Sequence, residues 1–166
     1  MKDFSKQGFQ IAKSSREVKL VYSGFLIFAF IGYFTIALLG LLRVGPGHDA
    51  IVTHYRGSDL EEEAFPRAFG QMLEEAHFHA FIEGIVLLVL AHLFVATSVS
   101  RGMKDAVIFA AFGSTLTDLA SPWLIKYVHP AFAYLQIASW VGMEVGALLL
   151  IGVPFYEMWL KGGNPS

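Results

Sequence analysis

Six side chains capable of acid–base or ligand chemistry sit inside one apolar stretch, Gln71 to Ser98 (QMLEEAHFHAFIEGIVLLVLAHLFVATS): Glu74, Glu75, His77, His79, Glu83 and His92. Placing an ionised group at a bilayer centre costs roughly 2.5–3.5 kcal/mol on insertion scales, so such residues face a protein interior and have a partner or a task. Helical spacing sorts them. Glu75, His79 and Glu83 recur at i, i+4 and i+8 and stack on one face, with Glu74 and His77 forming an E-x-x-H pair beside them. Asp118, His129 and Glu144, further along the chain, fall at comparable depths on other apolar stretches.

Three chemistries suit these residue types. Bis-His ligation of haem b needs two imidazoles from facing helices at similar depth, and His77 or His79 can face His129. His92, in the inner third of its span, would need Met158 as the opposite ligand of a second haem. A non-haem site for Zn, Fe, Mn or Cu would draw on Glu74, Glu75, His77, His79, Glu83 and Asp118. A di-iron bundle needs two E-x-x-H elements, and a homodimer would supply the other. The third chemistry is a proton path through Glu83, Asp118 and Glu144, with an outer His bonding a quinol oxygen. None of these assigns a catalytic residue, and the same groups also suit a cofactor-free structural network that fixes helix register, or a transporter.

The elements that must position these groups are membrane spans. Of 166 residues 55% are hydrophobic and 16% charged, with a mean hydropathy of +0.54, too little polar surface for a soluble domain of this length. The lipid bilayer is the natural solvent. A net charge of −2 argues against a nucleic-acid partner. The absence of Cys removes disulfides, thiolate metal sites and covalent haem attachment.

Apolar runs predict an all-α integral membrane four-helix bundle in one domain, 1–166, with spans at about 20–42, 71–98, 106–127 and 131–159. At 1.5 Å per residue, about 20 residues cross a hydrocarbon core of about 30 Å. The first run is too long for a signal-peptide core and meets no cleavage site, so it is read as an uncleaved span. Residues 44–70 form the one long loop, acidic through Asp49, Asp59 and Glu61 to Glu63. Lys2, Lys6, Lys13, Arg16, Lys19, Arg101, Lys104 and Lys161 fall on one side, against Arg43, Arg56, Arg67 and Lys126 on the other. By the positive-inside rule both termini are cytoplasmic in a bacterial inner membrane, and the acidic loop faces outward. Trp123, Tyr127, Tyr156 and Trp159 sit near the interfaces, where amphipathic rings collect.

The strings EEAHFHAF and TDLASPWLIKYVHPAFAY resemble, loosely, those of small four-span membrane subunits that accompany periplasmic electron-transfer proteins in bacterial respiratory complexes. The resemblance implies a subunit of a redox assembly, with other membrane or periplasmic electron-transfer subunits, or further copies of itself, as partners. Other features read as structural. His48 and His54 are expected to be solvated loop residues, and Gly142-x-x-x-Gly146 to be a helix-packing face. The many Phe side chains are expected to face lipid.

Overall fold

A computed structural model describes residues 10–58 and 65–161. The basic positions Lys2 and Lys6 and the acidic positions Asp59 and Glu61 to Glu63 lie outside the described residues. Among the described residues the chain is all helical: α1 (Arg16–Arg43), α2 (His48–Arg56), α3 (Phe69–Val95), α4 (Arg101–Tyr127) and α5 (Ala133–Trp159). Short 3-10 turns occupy Ile11–Lys13 and Pro130–Phe132. Four helices, all but α2, are long and apolar enough to cross a membrane.

Local chemistry sets the helix ends. Ser15 caps α1 by accepting from the Val18 amide at 3.5 Å. At the other end Gly45, at φ +89°, turns the chain so that its amide reaches the Gly40 carbonyl at 3.2 Å. That left-handed conformation favours glycine, and Pro46 prevents further helix. The stretch 44–70 is not all loop. Ile51 and Tyr55, one turn apart and both buried, give α2 an apolar face that packs over the outer ends of α4 and α5. His48, expected to be solvated, stacks on Tyr134 of α5 with ring centroids 4.6 Å apart.

Helix α5 is the hub, packed most extensively against α4 and also against α1 and α3. Its small-residue face meets α4 within this chain. A Cβ added at Gly142 would lie 2.1 Å from Ser114 Oγ, and one at Gly146 would lie 3.1 Å from Ala111 Cβ. Helix α1 is peripheral: Leu26 is buried, but Phe28, Phe34 and Leu42 are exposed and left to lipid or a partner.

The end of the bundle that holds residue 10 and residue 161 is pinned by side chains. Glu157, buried, accepts the Ser98 amide at 3.0 and 2.8 Å and the Lys161 ammonium at 3.1 Å. Lys104 donates to the Val95 and Thr97 carbonyls at 2.8 and 2.7 Å, satisfying the last groups of α3. Trp159 donates from its indole to Ser23 Oγ at 2.8 Å, tying α5 to α1.

Candidate functional site

A cavity of about 110 Å³ opens in the half of the bundle away from residues 10 and 161. Helix α3 contributes Met72, Glu75, Ala76 and His79; α4 contributes Asp118, Leu119, Pro122 and Trp123; α5 contributes Gln136 and Trp140; and Tyr55 of α2 completes it. The 3.6-residue period brings Glu75 and His79 to this wall, and Glu83 continues the same face one turn deeper. The His79 ring meets Glu83 through Nδ1 and Oε1 at 2.9 Å, which leaves Nε2 for the cavity. Glu83 itself is 5% exposed.

Asp118 is held from α5. Its Oδ1 accepts from the Gln136 amide and, at 3.4 Å, from Ser139 Oγ, while Gln136 Oε1 accepts from Ser121 Oγ at 2.7 Å. Pro122 has no N–H, so the Asp118 carbonyl loses its ordinary helical donor, and the Ser121 hydroxyl stands 3.4 Å from it. Gln136, Ser121 and Ser139 went unread in the sequence. Their signal was the i, i+3 spacing of Asp118 with Ser121 and of Gln136 with Ser139, polar pairs on otherwise apolar helices.

The rim of the cavity is stitched by Arg67. Its guanidinium donates to Glu75 Oε1 at 2.6 Å and to His54 Nε2 at 3.2 Å, and its amide donates to the Tyr55 carbonyl at 3.3 Å. Lys126 caps the Arg67 carbonyl, and Arg56 donates to the Ile125 carbonyl at 3.2 Å. His54 is thus half-buried rather than a solvated loop residue. Burial, and then the Arg67 charge, hold its imidazole below the ordinary histidine value, whereas burial pushes the Tyr55 phenol up.

This predicts an acid-sensitive rim. The unfolded chain takes up a proton at His54 near the ordinary value of about 6.5, before the folded chain does, so the folded state loses stability as pH falls through that region. Protonation also removes the lone pair that accepts from Arg67. The protection factors of the α2 amides against hydrogen exchange, taken relative to the intrinsic exchange rate at each pH, should fall between about pH 7 and about pH 5. His54→Gln should flatten that dependence, and an unchanged pH profile in this variant would remove His54 from the account.

The other candidate residues lie apart from this cavity. Glu74 and His77 are exposed on the N-terminal part of α3. His92, also exposed, bonds through Nδ1 to the Leu88 carbonyl of its own helix at 2.8 Å. His129 caps the Pro130–Phe132 turn, accepting from the Ala131 amide at 3.1 Å. Glu144 stands mid-span on α5, and Met158 is buried near the inner end.

Of the four histidines read as haem ligands, His79 alone lines the cavity. Its 110 Å³ lies below the roughly 300 Å³ at which cofactor-sized pockets begin. Among the described residues no three His, Asp or Glu side chains converge as a metal-holding group. What the cavity does offer is a set of protonatable oxygens and nitrogens around space for a few waters, at about 30 Å³ each.

A family model described as a transmembrane helical domain matches residues 45–165. It covers α2 to α5 and begins beyond α1. No curated protein and no solved structure matches the chain.

Proposed function

The chain belongs to the Aq_1264_TM family of transmembrane helical domains, and on that premise we propose that it is a proton-transferring membrane subunit whose relay is His79, Glu83 and Asp118. The observation that carries this reading is the His79–Glu83 pair at 2.9 Å beside a small polar cavity that also holds Asp118. A proton arriving on Nε2 makes the ring a cation. Release of the Nδ1 proton to Glu83 Oε1 then leaves a neutral ring and a carboxylic acid, and the proton has advanced one turn of α3. Waters in the cavity connect the same ring to Asp118. Glu75, paired with Arg67 at the rim, is the group nearest the outer solvent.

The setting follows from the same reasoning. The basic inner end belongs in the cytoplasm of a bacterial cell, the cavity faces outward, and the subunit serves a redox assembly whose quinol chemistry releases protons on that side. The test is the purified chain in liposomes with a trapped pH-sensitive dye and an imposed potassium diffusion potential. Proton entry should exceed that of protein-free liposomes, and equal rates would sink the reading.

A second reading is favoured by one observation. Metal-ligating histidines donate their other ring N–H to a carboxylate, and Glu83 occupies that position for His79. His79 Nε2 is then the atom available to a haem b iron or to Zn, Fe, Mn or Cu. Haem would supply one-electron chemistry at this depth. A reduced-minus-oxidised visible spectrum with sharp Soret and α bands, or stoichiometric metal by elemental analysis, would establish it. Loss of that signal in His79→Ala would assign the ligand.

A further inference from the structure

Helix α2 roofs the cavity. Its Ile51 is fully buried and its Tyr55 nearly so, and both belong to one core cluster with Met72 of α3, Ile125 of α4 and Ala133 of α5. Tyr55 also lines the cavity, as do His79 and Asp118. The chain is permissive on either side of this helix, with Gly45 at φ +89° shortly before it and Gly57 at φ +77° just after it. No other described residue has a positive φ. A short helix bracketed by two such joints can change direction at little backbone cost.

Polar contacts fasten the Tyr55 end. Arg67 donates from Nε to His54 Nε2 and from its other arm to Glu75 of α3, while its amide donates to the Tyr55 carbonyl, so one residue ties the end of α2 to the cavity wall. Arg56 adds a bond to the Ile125 carbonyl of α4. The bond at His54 exists only while Nε2 keeps its lone pair, since a proton there turns the acceptor into an N–H that faces a guanidinium. The charged groups around this ring come from three sources: Arg67 beside it with Glu75 on α3, Arg56 on its own helix, and Asp118 and Lys126 on α4. The carboxylates of α5 are Glu144 and Glu157, and neither lines the cavity. At the far end of α2, His48 is occupied by Asp49 and by the Tyr134 ring of α5.

We propose that α2 is a proton-released lid on this cavity, with Arg67 as its latch, His54 as the trigger of the latch, and Gly45 and Gly57 as its joints. With His54 neutral, the latch holds Tyr55 against the cavity. With His54 protonated, Arg67 keeps Glu75 and releases the ring, and the Tyr55 end lifts while Ile51 stays packed. Water then reaches His79 Nε2. The sign follows from the closed state, in which burial and then the Arg67 charge hold the His54 imidazole below its ordinary value. Opening restores that value, so proton uptake favours the open lid. Acid at this face thus admits protons to the relay. That use rests on the proton-transfer reading above, whereas the lid itself is tested without transport.

The chain contains no Cys, so a single introduced thiol reports access. Ala76→Cys places it in the cavity lining, and Gly70→Cys places a reference on the same helix, where an added Cβ meets nothing within 4 Å. Both variants of the full chain, in lipid nanodiscs, are alkylated with a neutral water-soluble maleimide. The ratio of the cavity rate to the reference rate at each pH removes the thiolate fraction that the two share. That ratio should rise about fivefold between about pH 7.5 and about pH 5. With His54→Gln added, an amide oxygen still accepts from Arg67 and does not titrate, so the ratio should stay at its low value throughout. Arg67→Gln removes the latch and should raise the ratio at both pH values. A ratio that does not change with pH while His54 is present, or that rises as much in His54→Gln, overturns the proposal. Access that depends on His54 in a chain that conducts no protons would reject transport and keep the lid. Conduction with a flat ratio would do the reverse.

Discussion

Glu83→Gln is expected to reduce proton entry into liposomes by at least about tenfold, toward the rate of protein-free membranes. The amide keeps the volume and can still accept a hydrogen bond from the ring at Nδ1, so the local geometry of α3 survives. It cannot take the proton. Positioned acid–base groups contribute roughly 10²–10⁴-fold where transfer passes through them, so a loss of this size is what a required relay member should show. His79→Ala should act alike, because it removes the link between Glu83 and the cavity. His77→Ala and His92→Ala should leave the rate unchanged, since both rings are exposed and neither lines the cavity. Full conduction by Glu83→Gln would reject the relay, and equal losses in His77→Ala would place it elsewhere on α3.

The second large effect concerns assembly of the bundle. Gly146→Leu should destabilise the protein by about 3 kcal/mol, the upper part of the range for overpacking, because the new Cβ meets Ala111 Cβ at 3.1 Å and its Cα at 3.3 Å. Neither atom can rotate away. Gly142 differs, since its added Cβ would meet Ser114 Oγ and Cβ at 2.1 and 3.0 Å. A serine can be removed. Gly142→Ala should therefore cost about 1–3 kcal/mol alone and recover most of it when combined with Ser114→Gly. Thermal unfolding in detergent reads both effects. A Gly146→Leu protein with the parent's midpoint, or a Gly142→Ala variant that Ser114→Gly does not rescue, would show that α4 and α5 are not held at this approach.

Hydropathy makes the spans legible because twenty or so apolar residues have no other stable setting, and Leu20 to Leu42 or Ala131 to Trp159 can hardly be read otherwise. Helix boundaries are less legible because polar residues at an interface do not end a helix. Helix α4 begins at Arg101 rather than near Ala106, with Arg101, Lys104 and Asp105 all inside its first turns. Helix α3 ends at Val95 rather than Ser98, because Lys104 claims the Val95 and Thr97 carbonyls and Glu157 claims the Ser98 amide. The Glu157 contact joins residues 59 apart in the chain, and no local pattern announces it. The stacking of Glu75, His79 and Glu83 is different, being a property of one helix and its period. Asp118 reaches the same cavity only through the packing of α4. Such neighbours depend on crossing geometry, which apolar periodicity does not encode.

Helix α1 also decides a question of parity. The region matched by the family runs from residue 45 and holds three crossings, α3 to α5, and an odd number leaves its two ends on opposite membrane faces. Adding α1 makes the number even. The turn at Ile11–Lys13 then lies against the α3–α4 corner, where the Ile11 amide donates to the Ala96 carbonyl at 3.1 Å, on the same face as Lys161. Residues 10 and 161 therefore lie on one membrane face, within reach of a single body in one compartment. Without α1 they would be separated by the thickness of the bilayer, and no soluble partner could hold both.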